Sequence, residues 1–228
     1  MRNLKIDDMP AQGSFDWRRE RLGKFTGSNI YKLLQSGKKK SDIFGQTAMA
    51  YIRKVAAERC LNAKMVNDDE LFAVFCEQTE ISSKAIAWGK EQELNARALF
   101  RKITGYEIEI PSSVEHSSIA NYAASPDGIC FEHDFIIEIK CPNYETAFEY
   151  QTSIKDANTL LETEPKYYWQ MQAEMDCTGA SKGVFISYCP FLAKPLHYAF
   201  IERVEDDVNK LRERVKLANE FIEEYYKL

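Results

Sequence analysis

One stretch constrains this chain more than any other: Ser125-Pro-Asp-Gly-Ile-Cys-Phe-Glu-His-Asp-Phe-Ile-Ile-Glu-Ile-Lys140. Gly128–Phe131 and Phe135–Ile139 carry the β-branched and aromatic residues of short strands, and Glu132-His-Asp134 is compact enough for a hairpin turn. Side chains alternate along a strand, so Glu138 and Lys140 point one way while Ile137 and Ile139 point the other. Such a charged pair is costly to bury on an otherwise apolar strand unless it coordinates something or forms an ion pair. Asp127 begins the preceding strand, and the hairpin would return it close to Glu138.

Two carboxylates and a lysine make a hydrolytic constellation. Oxygen ligands suit Mg²⁺, which keeps several waters and binds substrate phosphate as well. A metal there would acidify a water and offset the charge growing on phosphorus. Lys140 could orient that water, help deprotonate it or stabilise the charge. Glu-x-Lys spacing alone is common, and a surface salt bridge is then the simpler reading. The upstream Ser-Pro-Asp and the apolar strand shift the weight towards a site.

The rest of the chain supplies a frame. A helix capped by Thr26 or Ser28 should run to Leu34, and a second, capped by Asp42, to about Leu61. The Ser36–Ser41 segment is a loop with three adjacent cations, and residues 67–70 read as a turn. A long helix should start near Ser82 or Ser83, with Ile86, Leu94, Ala98 and Leu99 as its apolar stripe, and stop at Gly105. Strands are predicted at Tyr106–Ile110 and Ile119–Ala123 before the hairpin. Helices follow from Tyr144 to Lys155 and from a Thr163 cap with Pro165 in the first turn. Val184–Tyr188 and Leu196–Ile201 read as strands. A last helix begins at the acidic Glu205-Asp-Asp207, with Val208, Leu211, Val215 and Ile222 facing inward. This order predicts an α/β (α+β-like) fold, a central mixed β-sheet flanked by helices. The 228 residues read as one domain. It would comprise a basic helical part over about 1–80, a core over about 81–204 and a C-terminal helix over about 205–228.

Charge narrows the partner. The net balance is −5, but residues 1–60 hold 13 Lys or Arg against 6 Asp or Glu, a balance of +7, leaving −12 for the remainder. A basic first quarter can meet phosphates while the acidic remainder supplies metal ligands. No membrane span or secretory leader is expected, and six scattered cysteines without a C-x-x-C pair read as reduced thiols. A cytoplasmic location, in a bacterial host cell, is the corresponding expectation.

At this point the chain resembles the PD-(D/E)XK nucleases, and within them the phage lambda exonuclease family of viral recombination nucleases. The resemblance is carried by Trp17-x-x-x-Arg-Leu-Gly23 with Thr26-Gly-Ser28, Ala87-Trp-Gly-Lys-Glu-Gln-Glu-Leu-Asn-Ala-Arg97, Ser125-Pro-Asp-Gly128, Glu138-Ile-Lys-Cys-Pro142 and Gln170-Met-Gln172. These blocks occur in order over about residues 17–175.

The resemblance implies a restriction-endonuclease-like core and two Mg²⁺ ions, with Mn²⁺ as a possible substitute. Asp127, Glu138 and the backbone carbonyl of Ile139 would hold one ion, and Glu93 would join Asp127 in holding the second. Without the resemblance, Glu93 reads as an i,i+4 partner of Arg97 on a solvated face. Lys140 would serve the attacking water and Gln170 would line the site. Arg21, Ser28 and Ser125 would grip a 5′-terminal phosphate, for which a guanidinium beside hydroxyls is chemically apt. Ser28 as a helix cap is the plainer alternative. Ile86 would be an apolar wedge at the terminal base pair, or else ordinary core. Lys38, Lys39 and Lys40 would track duplex phosphates, or form a solvated loop.

The implied activity is 5′→3′ resection of double-stranded DNA ends to leave 3′ single-stranded tails, by a homotrimeric ring acting with a single-strand annealing protein. A site-specific endonuclease of the same superfamily is one rival, although no base-reading side chains stand out. A non-catalytic DNA-binding or partner-docking module is another, although the acid–lysine set is complete. Cysteine spacing argues against an iron–sulfur relative.

Overall fold

The computed structural model describes every residue except Asn3, 38–41, 80–82 and Leu228. Lys38, Lys39 and Lys40 therefore lie outside the described residues. In chain order the elements are α1 (Phe15–Arg21), β1 (Phe25–Thr26), α2 (Gly27–Ile30), α3 (Gln46–Arg59), α4 (Ala63–Asn67), α5 (Asp69–Thr79) and α6 (Lys84–Thr104). There follow β2 (Val114–Glu115), β3 (Tyr122–Ala124), β4 (Gly128–Cys130), β5 (Phe135–Lys140), α7 (Tyr144–Ser153), α8 (Ala157–Thr163) and α9 (Pro165–Thr178). The chain continues through β6 (Lys182–Tyr188), β7 (Leu196–Glu202) and α10 (Glu205–Phe221).

The expected mixed sheet is present in the order β4-β5-β6-β7, with β5 and β6 parallel and the outer pairings antiparallel. A small second sheet, β1-β3-β2, lies apart from it in pairing. β5 is buried on both faces. Ile137 and Ile139 pack with Ala96 and Phe100 of α6, while Ile136 packs with Met171 and Met175 of α9 and with Leu160 of α8. Helices on both faces are what a parallel pair requires, because both sides of its strands need cover.

Capping chemistry explains the helix limits. The Ser83 side chain accepts from the Ile86 N–H at 3.2 Å to open α6, and Gly105, at φ +76, closes it in the left-handed region. Asn143 caps α7, an Asp156–Thr159 capping box opens α8, and Pro165 takes the first position of α9.

Several expected boundaries move. Asp42 does not cap α3, which begins after Gly45 at the capping position; the Gly37 N–H donates to the Asp42 carbonyl at 3.1 Å. Thr163 ends α8, and Glu164 precedes α9. Tyr106–Ile110 makes only one bridge, Glu109 with Ile129, and the pairing passes to β2. On α6 the buried face is Gln92, Ala96, Arg97 and Phe100, whereas Ile86 and Leu94 are exposed. The apolar spacing misplaced Ile86 and Leu94, because Arg97 is held inward by the Asp127 carbonyl, distant in sequence, as well as by Glu93.

α9 is the structural keel. One of its faces meets β5, and behind it Asp176 is a buried carboxylate bonded by Arg203 at 3.1 Å and Arg212 at 2.5 Å, with His116 at 3.3 Å. Burial opposes its charge, but hydrogen bonds from His116 and Arg212 prevail and hold the carboxyl below its ordinary range. Asp176→Asn should therefore cost about 3–5 kcal/mol by stranding buried cations. A carboxylate lowered on folding contributes stability above its unfolded pKa of about 4 and loses it as pH falls through the folded value. Thermal melts should show the gap between wild type and Asp176→Asn narrowing below about pH 4; a gap constant with pH would count against the ion network.

Candidate active site

The hairpin closes as the alternation requires. Gly128 sits so tightly that a Cβ there would meet Ile108 at 2.4 Å and Ile137 at 3.0 Å, and this close approach sets Asp127 against β5. The Asp127 N–H donates to the Ile137 carbonyl at 3.0 Å, and its Oδ2 accepts the Ile139 N–H at 2.6 Å. Burial first, and then the neighbouring charge of Glu138, push the Asp127 carboxyl well above its ordinary range.

Glu138 is 1% exposed. Its Oε1 accepts from Lys140 Nζ and from Gln170 Nε2, the latter at 2.6 Å. Its Oε2 is buried without a partner. Burial alone would lower the Lys140 ammonium, but Glu138 and Asp127 outweigh it and raise the group, and the Tyr167 ring lies 4.7 Å beneath the nitrogen. Ile139 contributes no polar side chain, so only its backbone can serve the site.

Gln170 also donates to Glu174 Oε1 at 2.8 Å. Glu174 is 1% exposed, has its own unpartnered Oε2, and is pushed up by burial and then by Glu138. Tyr167, Gln170 and Glu174 are spaced i, i+3, i+7, so one stripe of α9 faces the acids. Glu174 escaped the sequence reading; its i,i+4 spacing from Gln170 was the available signal.

Among the described residues no ready-made cage of three or more His, Cys, Asp or Glu is drawn together. The buried acids nevertheless fit a cation. Burial and then the neighbouring charge of Glu138 push both Asp127 and Glu174 up, and the Oε2 atoms of Glu138 and Glu174 lack any donor. Such orphans are costly without a positive ligand. Glu93 borders this centre, and its charge is felt at Asp127. It pairs with Arg97 at i,i+4, but Arg97 is buried and donates Nε to the Asp127 carbonyl at 3.2 Å, so this is no solvated face.

A second cluster adjoins the first. Arg21 donates to Ser125 Oγ at 2.7 Å, and the Trp17 indole N–H reaches the same oxygen at 3.2 Å. The guanidinium stacks 4.4 Å over Trp17. Arg21 feels the charge of Glu174, which ties the two clusters together, and burial lowers its pKa. A 170 Å³ cavity opens beside it, lined by Arg18, Lys24, Lys54, Asn29 and Tyr51 among others. The Tyr51 hydroxyl accepts the Thr26 N–H at 2.7 Å, and burial pushes its pKa up to about 12. It therefore stays neutral and adds no negative charge. Tyr51 and Lys54 come from α3 and carried no sequence signal.

Ser28 sits inside α2, its hydroxyl 3.4 Å from the Asn29 amide, and Thr26 holds the capping position. Ile86 is 43% exposed, so core packing does not account for it.

The comparisons with known proteins converge. The sequence profile of the YqaJ-like viral recombinase domain matches residues 16–181. The fold is similar to an alkaline exonuclease, LHK-Exo, from Laribacter hongkongensis, with TM-score 0.71 and 26% identity over 94% of this chain and 96% of that one. The same enzyme in complex with dAMP gives 0.72 and 27%, again over 94% and 96%. A phage-related exonuclease from Haemophilus somnus 129PT shares the fold at 0.67, with 18% identity over 90% and 95%. No curated protein matches by sequence. Among the described residues no helix is long and apolar enough to cross a membrane.

Proposed function

The chain belongs to the YqaJ-like viral recombinase domain family, and on that premise we propose that it is a magnesium-dependent exonuclease that resects double-stranded DNA ends 5′→3′. The observation that carries this reading is the contiguity of the Asp127–Glu138–Lys140 group with the Arg21–Ser125 pocket. A hydrolytic centre beside a cationic pocket suits an enzyme that anchors a strand terminus and cuts next to it.

Asp127, Glu138 and the Ile139 carbonyl would hold one Mg²⁺, and Asp127 with Glu93 a second; Mn²⁺ would fit the same oxygens. Bound there, the ions would supply an acidified water and neutralise charge at phosphorus. Lys140, carrying its proton on Nζ, would steer the attacking water and offset charge on the phosphate oxygens. Gln170 fixes the Glu138 carboxylate through its amide. Arg97 holds Glu93 and the Asp127 backbone together. Arg21, presented by Trp17 and Ser125, would seat the 5′-phosphate bidentately. The product would be a 3′ single-stranded tail for strand annealing, and a three-fold ring around DNA with an annealing protein as partner completes the proposal.

The test is digestion of a linear 5′-phosphorylated duplex beside a covalently closed circle, with Mg²⁺ or EDTA, each strand labelled separately. Metal-dependent loss of label from 5′ ends of the linear DNA alone is the expected result. Cutting of the circle would move the protein to an endonuclease, and an inert protein that still binds DNA would be a docking module.

A further inference from the structure

One exposed feature is left unused by this mechanism. The loop between β6 and β7 presents Phe191, which is 73% exposed. Its ring lies flat against Trp88 of α6, with centroids 5.5 Å apart and planes 12° apart. The loop beneath it is pinned. The Cys189 N–H donates to the Pro195 carbonyl at 2.8 Å, the Leu192 N–H to the Cys189 carbonyl at 3.3 Å, and Gln151 of α7 to the Lys194 carbonyl at 2.7 Å. Phe191 is thus an oriented ring with one face backed by an indole and the other open to solvent.

Its place in the sheet gives the feature meaning. β5 and β6 run parallel with Lys140 opposite Ser187, so the loop after Tyr188 leaves the sheet at the edge that carries Lys140. Trp88 lies on the helix that carries Glu93. Lys194 in the same loop and Lys84, one helical turn before Trp88 on α6, are exposed.

We propose that Phe191, backed by Trp88, is a stacking platform for an unpaired base of the DNA whose end is being cut, the exposed lysines meeting its phosphates. Every base offers a π-face, so such a platform holds single-stranded nucleic acid without reading sequence. Pre-orientation by Trp88 and the pinned loop removes much of the ordering cost. The inference rests on the DNA-end reading above and adds the single strand as a ligand.

The test uses a duplex with a 3′ tail carrying 5-iodouracil at its first unpaired nucleotide, bound with Ca²⁺ in place of Mg²⁺. Ultraviolet irradiation should cross-link the tail to the peptide containing Phe191 or Trp88. Phe191→Ala should lose that cross-link and bind the tailed duplex about tenfold more weakly, while blunt-duplex affinity stays within about twofold. Phe191→Trp should keep both. Because the side chain is mostly solvent-exposed, neither variant should change the melting temperature. An unchanged cross-link and affinity in Phe191→Ala would overturn the proposal. A fall in oligomer mass by light scattering, with tailed and blunt affinity dropping together, would also overturn it and make the ring a contact between copies. A wild-type protein that cross-links at Phe191 yet cuts nothing with Mg²⁺ would sink only the exonuclease reading. Cutting without the cross-link would sink only the platform.

Discussion

Lys140→Ala should lower digestion of linear duplex by about a thousandfold, the scale seen when one preorganised charge-stabilising donor is removed. Binding to DNA ends in Ca²⁺ should stay largely intact. The ammonium is paired to Glu138, lies over Tyr167 and is raised by the two neighbouring acids, so it is held as a cation at the centre of the site. Deleting it leaves the Glu138 carboxylate buried with only the Gln170 amide. A control is therefore needed, since stranding one member of a buried pair costs stability on its own. Melting temperature and end-binding affinity measured on the same preparation separate lost chemistry from lost fold. A folded variant that still digests DNA at the wild-type rate would remove Lys140 from the mechanism.

The second large effect concerns Arg21. Arg21→Ala should slow digestion of 5′-phosphorylated ends by about a hundredfold, the loss expected for roughly two charge-assisted hydrogen bonds. Ends bearing a 5′-hydroxyl should slow far less. Arg21→Lys should recover only part of the difference, because a point charge cannot reproduce the guanidinium fork or its stacking on Trp17. Steady-state rates on paired phosphate and hydroxyl substrates decide the matter; equal slowing on both would dismiss the pocket as an end-recognition site. Ser28 enters this experiment as a contrast. Its hydroxyl accepts from the Asn29 amide, whereas Ser125 Oγ accepts directly from Arg21, so Ser28→Ala should change the phosphate preference less than Ser125→Ala.

The hairpin was legible because its information is local. A two-residue side-chain period placed Glu138 and Lys140 together, and a tight turn, which in the structure takes the four residues 131–134, returned Asp127 to them. The cap at Ser83 and the stop at Gly105 were equally local, since each is a bond or a torsion within four residues. Short elements were less legible. α4, α5 and α8, and the two-residue strands β1 and β2, have too little periodicity of their own and exist because neighbours cover them. The apolar stripe on α6 misled for a related reason. Leu94 fits the helical spacing but is 67% exposed, while the charged Arg97 is buried because the Asp127 carbonyl and Glu93 receive it.

The sequence by itself determined that Asp127, Glu138 and Lys140 come together on one hairpin, that a mixed sheet is flanked by helices, and that the N-terminal quarter is basic. Each follows from chain-local geometry or from composition. Only the tertiary structure decided that Glu174 shares Gln170 with Glu138, that Arg21 meets Ser125 across 104 positions, and that Tyr51 and Lys54 line the same cavity. Apart from the i,i+4 pair of Gln170 and Glu174, those contacts join segments whose separation along the chain carries no periodic signal. They form because α9 and α2 pack together beside β3, a result of burying apolar surface throughout the molecule rather than of any one motif.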